Sequence, residues 1–158
     1  MTIAKHIFGN YLLVSAISGW LMAQILKVFT GMFHEKKFNI FHLLFSNGGM
    51  PSSHAATVMA LSTAAAMKFG FLSAEFAIAT VLAIIVMNDA AGVRYETGEQ
   101  AKILNRITKE LFSGDQEKFD TGLKELVGHT PFQVFMGALV GVLVGIALAF
   151  AMKVPIVL

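Results

Sequence analysis

Long apolar stretches, nearly free of charge, alternate with polar connections along this chain. From Ile7 to Leu26 no charged residue occurs, and twenty residues at helical rise extend about 30 Å, the thickness of a hydrocarbon core. A cleavable leader would have a shorter apolar run ending at a small-residue cleavage site. Here the run continues to Lys27, which makes it a first span. Residues 27–53 then form a polar connection with Lys27, His34, Lys36, Lys37 and His42, closed by the turn-forming string GGMPSS.

Helix resumes with Ser52 or Ser53 as its cap. The second span, His54 to Phe69, is short and rich in alanine, serine and threonine, a composition that lets membrane helices approach closely; a re-entrant segment is the alternative. Ser73 caps a third helix with Glu75 in its favourable first turn, and this helix runs through FAIATVLAIIVM to Asn88 and Asp89. Phe132 to Met152 is a charge-free fourth span, with Gly137, Gly141 and Gly145 on one face. Between spans three and four, residues 94–125 are polar, yet Ile103, Ile107 and Leu111 recur every four residues with Leu104 beside them. That spacing predicts an amphipathic helix at the membrane interface or over the bundle mouth, against the plainer reading of a solvated connecting helix. The predicted fold class is all-α: a polytopic transmembrane bundle of about four spans plus an amphipathic interfacial helix, forming one integral membrane domain over residues 1–158.

Composition agrees with this pattern. Hydrophobic residues make up 56% of the chain and charged residues 14%, against about a quarter charged in soluble domains. A formal charge of +2 with its basic residues in connections rather than on one stripe argues against nucleic acid. No cysteine is present, which removes disulfides, thiolate nucleophiles and cysteine metal sites. His34 and His42 lack the two-on-one-helix spacing of a zinc motif, and no metal or other cofactor is expected. Membrane lipids are the expected partners, and a homo-oligomer is left open.

The basic residues also set sidedness. With four spans, Lys5, Lys68 and Lys153 fall on one side. Lys27, Lys36, Lys37, Arg94, Lys102, Arg106, Lys109, Lys118 and Lys124 fall on the other. Lysine and arginine in short loops favour the cytoplasm, so a multi-pass cell-membrane protein with both termini outside is expected. His54, Asp89, Arg94 and His129 then all gather at the cytoplasmic face.

Asp89 ends an apolar helix, where a carboxylate is either functional or held in a structural ion pair with Arg94. On a continuous helix the two residues stand about 140° apart, unless Gly92 ends the helix and frees Arg94 to turn. In GHTPFQ, Thr130 caps, Pro131 suits the first helical position and Gln133 completes a capping box. Two histidines at helix entrances on one face, with cations nearby, suit an anion. Helix starts offer free N–H groups, imidazole can attack phosphorus or move a proton, and cations balance charge on the oxygens.

MPSSHAA and GHTPFQVFMGALVG, with NDAAGVR and EQAKILN, resemble the divergent branch of the type 2 phosphatidic acid phosphatases, a family related to acid phosphatases and vanadium-dependent haloperoxidases. The resemblance implies His129 as the phosphate-attacking nucleophile and His54 as the acid that protonates the leaving group, with Ser52 and Ser53 helping to hold phosphate. The chain departs from the wider pattern at several positions. Ser53 stands where glycine is usual, Gly122 and Leu123 replace serine and arginine, Gln133 replaces the orienting aspartate, and no Arg-Pro pair follows Lys27. Asp89 is the candidate replacement carboxylate, and Arg94, Lys27 and Lys124 are the candidate replacement cations.

These residues support a phosphatase-like membrane protein acting on lipid phosphate or diphosphate at the cytoplasmic face. The competing reading is a non-catalytic relative that binds phosphorylated lipid or serves as a structural membrane protein. A small transporter or channel is a weaker third reading, resting on Asp89 alone.

Overall fold

The computed structural model describes residues 8–34, 49–111, 123 and 128–157. Lys124, His42 and the Lys36–Lys37 pair, all named above, lie outside the described residues. Among the described residues five helices have defined bounds, α1 (Tyr11–His34), α2 (Ser53–Phe69), α3 (Ala74–Ala91), α4 (Val93–Leu111) and α5 (Pro131–Ala151), and there is no strand. By length and composition α1, α3 and α5 are able to cross a membrane. Helix α1 runs past the charge-free stretch to His34, and Lys27, 3% exposed, lies inside the apolar run Tyr11–Thr30 rather than at its end.

At 17 residues α2 is shorter, and it is the hub against which α1, α3 and α5 all pack. Its alanines explain this role. Ala55, Ala56, Ala60, Ala64 and Ala65 are completely buried, and side chains this small let helix backbones come together. The glycine ridge of α5 meets them directly. A Cβ on Gly137 would strike the carbonyl of Ser52, one on Gly141 the carbonyl of Ala56, and one on Gly145 the side chain of Thr63. From the other side Gly19 of α1 lies against the Ala56 carbonyl and the Ala60 methyl. Large apolar side chains point outward instead, among them Ile17, Leu21 and Ile25 on α1, Ile78 and Ile85 on α3, and Phe135 and Leu143 on α5. Small and polar residues inside, with bulky apolar residues outside, is the arrangement expected of a bundle solvated by lipid.

The caps form locally. The Ser52 side chain accepts from the Ala55 N–H, Ser73 accepts from Phe76, and Thr130 with Gln133 makes a complete capping box at Pro131. Two apolar clusters hold the ends of the bundle. Tyr11, Ala64 and Ala149 form one, where the Tyr11 hydroxyl donates to the Gly145 carbonyl at 2.9 Å. Ala55, Ala90 and Val134 form the other, beneath the site described next. Helix α3 is capped at Gly92, and α4 leaves from there packed, among the described helices, against α3. Its Ile103, Leu104, Ile107 and Leu111 are exposed.

Candidate functional site

One end of the bundle collects the starts of α2 and α5 and the end of α3. The two starts are tied together by the Ser52 N–H, which donates to the Gln133 carbonyl at 3.0 Å, while Gly137 lets α5 touch the Ser52 carbonyl. These two helices therefore run parallel, with both positive dipole ends at the same mouth. Thr30 on α1 donates to the Met50 carbonyl at 2.6 Å and so anchors the approach to α2. Gly49 in that approach has φ of 92°, a left-handed conformation that glycine adopts without strain.

His129 is 1% exposed. Its backbone N–H donates to the Ala90 carbonyl at the end of α3, 3.1 Å away. The imidazole lies 5.9 Å, centroid to centroid, from that of half-buried His54, with the rings inclined at 62°. Among the described residues no partner meets full hydrogen-bond geometry at either ring nitrogen of His129 or at Nδ1 of His54, although Gln133 and the Gly49 backbone lie close enough to act on the His129 ring. Burial pushes the His129 imidazole down to about 4, assisted by the nearby Lys27 charge and partly opposed by Gln133. The ring is thus neutral at physiological pH and keeps a lone pair for a nucleophile or an acceptor.

Lys27 enters this mouth from α1. Its Nζ donates to Ser53 Oγ at 3.3 Å, and among the described residues no carboxylate lies within ion-pair distance of it. A buried cation with only a hydroxyl for company carries an uncompensated desolvation cost. An anion placed between Lys27, the imidazole nitrogens and the two helix starts would offset that cost.

Asp89 and Arg94 sit at the rim. Arg94 Nε donates to Asp89 Oδ2 at 2.6 Å, and both side chains are 43% exposed. Gly92 ends α3, and the chain turns enough there for Arg94 to reach back to Asp89. The pair lies within electrostatic reach of His54, but the Asp89 carboxylate bonds neither His54 Nδ1 nor His129. Gln133 Oε1 accepts the Thr130 N–H at 3.1 Å in the cap. Ser52 spends its hydroxyl on its own cap, whereas Ser53 faces Lys27. Among the described residues no three histidine or acidic side chains come together as metal ligands.

Two contributors escaped the sequence analysis. Gly128, which reads as an ordinary loop residue, packs on the Arg94–Tyr95 backbone so closely that a Cβ would collide with it. Thr30 works through a backbone carbonyl, for which sequence carries no signal.

A protein-family model described as "Divergent PAP2 family" matches residues 8–144, a span that includes every group named above at this mouth. A protein of Bacillus subtilis (strain 168) described as "Uncharacterized membrane protein YuiD" is 38% identical over 155 residues, covering 92% of this chain and 98% of the relative. No solved structure matches the chain.

Proposed function

The chain belongs to the divergent PAP2 family, and on that premise we propose that it is a membrane phosphatase-like protein hydrolysing lipid phosphate or diphosphate through His129. The observation that carries this reading is the pair of imidazoles 5.9 Å apart, their buried nitrogens without a partner in full hydrogen-bond geometry, beside a buried lysine that has no carboxylate partner, all among the described residues. Attack needs about 3 Å between nucleophile and phosphorus, and proton transfer needs about 3 Å between acid and leaving oxygen. The ring separation is of that combined order.

A neutral His129 nitrogen attacks phosphorus, the bridging P–O bond breaks, and His54, protonated once the anionic substrate offsets the Lys27 and Arg94 charges beside it, gives its proton to the departing oxygen. Water then attacks the phosphohistidine, passes a proton to His54 and releases phosphate, restoring both rings. Lys27, Ser53 and the N–H groups at the starts of α2 and α5 hold the non-bridging oxygens. Asp89 and Arg94 flank His54 at the rim, on the leaving-group side. The excess of lysine and arginine in the two large connections supports a site on the cytoplasmic side, where phosphorylated headgroups of the inner leaflet would reach it.

A binding-only role is favoured by one observation. Asp89, the side chain that could replace the missing orienting carboxylate, is engaged with Arg94, and Gln133, which lies close enough to act on the His129 ring, carries no charge and already accepts from Thr130 in its cap. Without a carboxylate the imidazolium formed during proton transfer is less well stabilised. Purified protein in lipid nanodiscs, offered phosphatidate and isoprenyl diphosphates, separates the two. Release of inorganic phosphate that disappears in His129→Ala supports turnover. Equal release by both proteins removes His129 as nucleophile, and substrate binding without release leaves the binding role.

A further inference from the structure

The hairpin of α2 and α3 has a fixed register. Ala55 packs with Ala90 at the mouth, Ser62 and Thr80 share a 2.9 Å hydroxyl hydrogen bond midway, and the Ser73 N–H closes the turn on the Gly70 carbonyl. The same register sets His54 level with Asp89 and Lys68 level with Glu75. Between these two layers neither helix carries an ionisable residue. Lys68 comes fourteen positions after His54, and Asp89 fourteen after Glu75, so the layers stand about 21 Å apart. A hydrocarbon core is about 30 Å thick.

The missing thickness lies on the mouth side. Gly137 of α5 faces Ser52 and Ala55, which puts it level with His54, and Gly19 of α1 faces Ala56 and Ala60, so that α1 passes the same level near Ala23. Both helices continue beyond it with apolar side chains turned outward. Phe132 is 62% exposed and Phe29 is 55% exposed, and each stands about 8 Å past the His54–Asp89 layer. At the other end α5 stops at Ala151, level with Lys68, and the tail after it folds back to the Met67 carbonyl through the Val157 N–H. From Lys68 and Glu75 to the two phenylalanines is about 29 Å, which is one hydrocarbon thickness.

We infer that the phosphate site is sunk about 8 Å beneath the hydrocarbon boundary and takes a phosphate carried directly on a hydrocarbon chain, such as a prenyl phosphate, in preference to a glycerolipid or a soluble ester. The ligand rests on the phosphatase reading of the mouth; the depth does not. Water drawn into the mouth meets Asp89 and Arg94, each 43% exposed in the sunken layer, as charges at hydrocarbon depth require. The atoms next to the phosphate meet a different environment. In a prenyl phosphate they are hydrocarbon and stay in hydrocarbon. In phosphatidate the glycerol esters must descend with the phosphate, between acyl chains and the apolar outer faces of α1 and α5, and lose the water bound to their carbonyl oxygens.

The chain has no cysteine, so single nitroxide labels on Phe132→Cys and Leu139→Cys, both at exposed positions of α5, read depth by power saturation with oxygen and a water-soluble nickel chelate. In nanodiscs the Phe132 label should lie at the hydrocarbon boundary and the Leu139 label about 11 Å beneath it. A Phe132 label freely reached by the chelate overturns the placement, whether because the mouth lies at the surface or because the bilayer thins to match the hairpin. Ligand choice is read separately, by displacement of bound orthovanadate, which needs no turnover. Geranylgeranyl phosphate should displace vanadate at a concentration at least about tenfold below that of phosphatidate, as dehydration of an ester acceptor costs, and glycerol phosphate should be weaker than the prenyl phosphate by at least as much. Phosphatidate or glycerol phosphate acting as well as the prenyl phosphate overturns the ligand assignment. A protein that binds no vanadate at all removes the phosphatase reading and the ligand with it, while the two labels still decide the depth.

Discussion

Replacing Lys27 by methionine should make the ligand-free protein more stable and ruin its anion site, two effects of opposite sign from one substitution. Methionine keeps the length and helix preference of lysine, so the helix itself is hardly disturbed. Lys27 is 3% exposed and receives one hydrogen-bonding partner, Ser53 Oγ at 3.3 Å. Burying an ion costs several kcal/mol after relaxation, and a hydrogen bond involving a charged group returns about 1.5–3 kcal/mol. The difference predicts a gain of about 1–3 kcal/mol on removing the charge. Truncating the cation of a buried charge pair costs about 2–5 kcal/mol of binding, which corresponds to at least about a thirtyfold loss of affinity.

Thermal unfolding in nanodiscs, with and without phosphate or vanadate, reads both quantities at once, because a ligand that binds only the folded state raises the midpoint. The parent protein should show the lower ligand-free midpoint and a clear upward shift with the anion. Lys27→Met should start higher and stay flat. A variant that unfolds earlier without ligand yet keeps its anion shift would show that Lys27 is a structural cation and that the site lies elsewhere.

The remaining expectations concern the walls of the site. His129 is held neutral at about 4 against an ordinary value of 6.5, so its contribution to stability is complete above 6.5 and is lost as pH falls toward 4. That loss amounts to about 3 kcal/mol, and unfolding midpoints from pH 4 to 7.5 should show a slope that flattens in His129→Gln. Gly141→Val should cost about 3 kcal/mol by driving a side chain into the Ala56 carbonyl, seen as a lower melting temperature and a weaker vanadate response. Asp89→Asn should change stability by less than about 1 kcal/mol, since its pair with Arg94 is 43% exposed. A larger fall in phosphate release than in stability would then mark Asp89 as part of the chemistry.

Helix starts were legible in the sequence because a cap is a local event. Ser73 and the Thr130–Gln133 box need only residues three apart, and both formed as the spacing predicted. Three of the four expected spans were legible because a charge-free run has few uses outside a membrane, whereas α2, at 17 residues, is not among the helices long enough to cross; Lys27 misled as an end marker because its charge is buried. Contacts between a side chain and a distant backbone were not legible. The Asn105 amide on the Leu123 peptide and the Thr30 hydroxyl on the Met50 carbonyl have partners that every residue possesses. The Asp89–Arg94 contact depended on whether Gly92 broke the helix, which glycine permits but does not compel.

The convergence of the two histidines divides into a part that topology supplies and a part that packing must supply. Between His54 and His129 the chain passes down α2 and back along α3, so it returns to the end it left, and both rings reach the same mouth without any specific contact. Same mouth still allows a separation of tens of ångströms across a loosely packed bundle. What brings the rings to 5.9 Å is that α2 and α5 touch backbone to backbone, which Ala55, Ala56 and Ala60 on one side and Gly137 and Gly141 on the other make sterically available. Two parallel helices in such contact place like dipole ends together, an arrangement that is electrostatically unfavourable until something negative sits between them. The glycine ridge, a packing feature in the sequence, is therefore also what concentrates positive potential at the mouth.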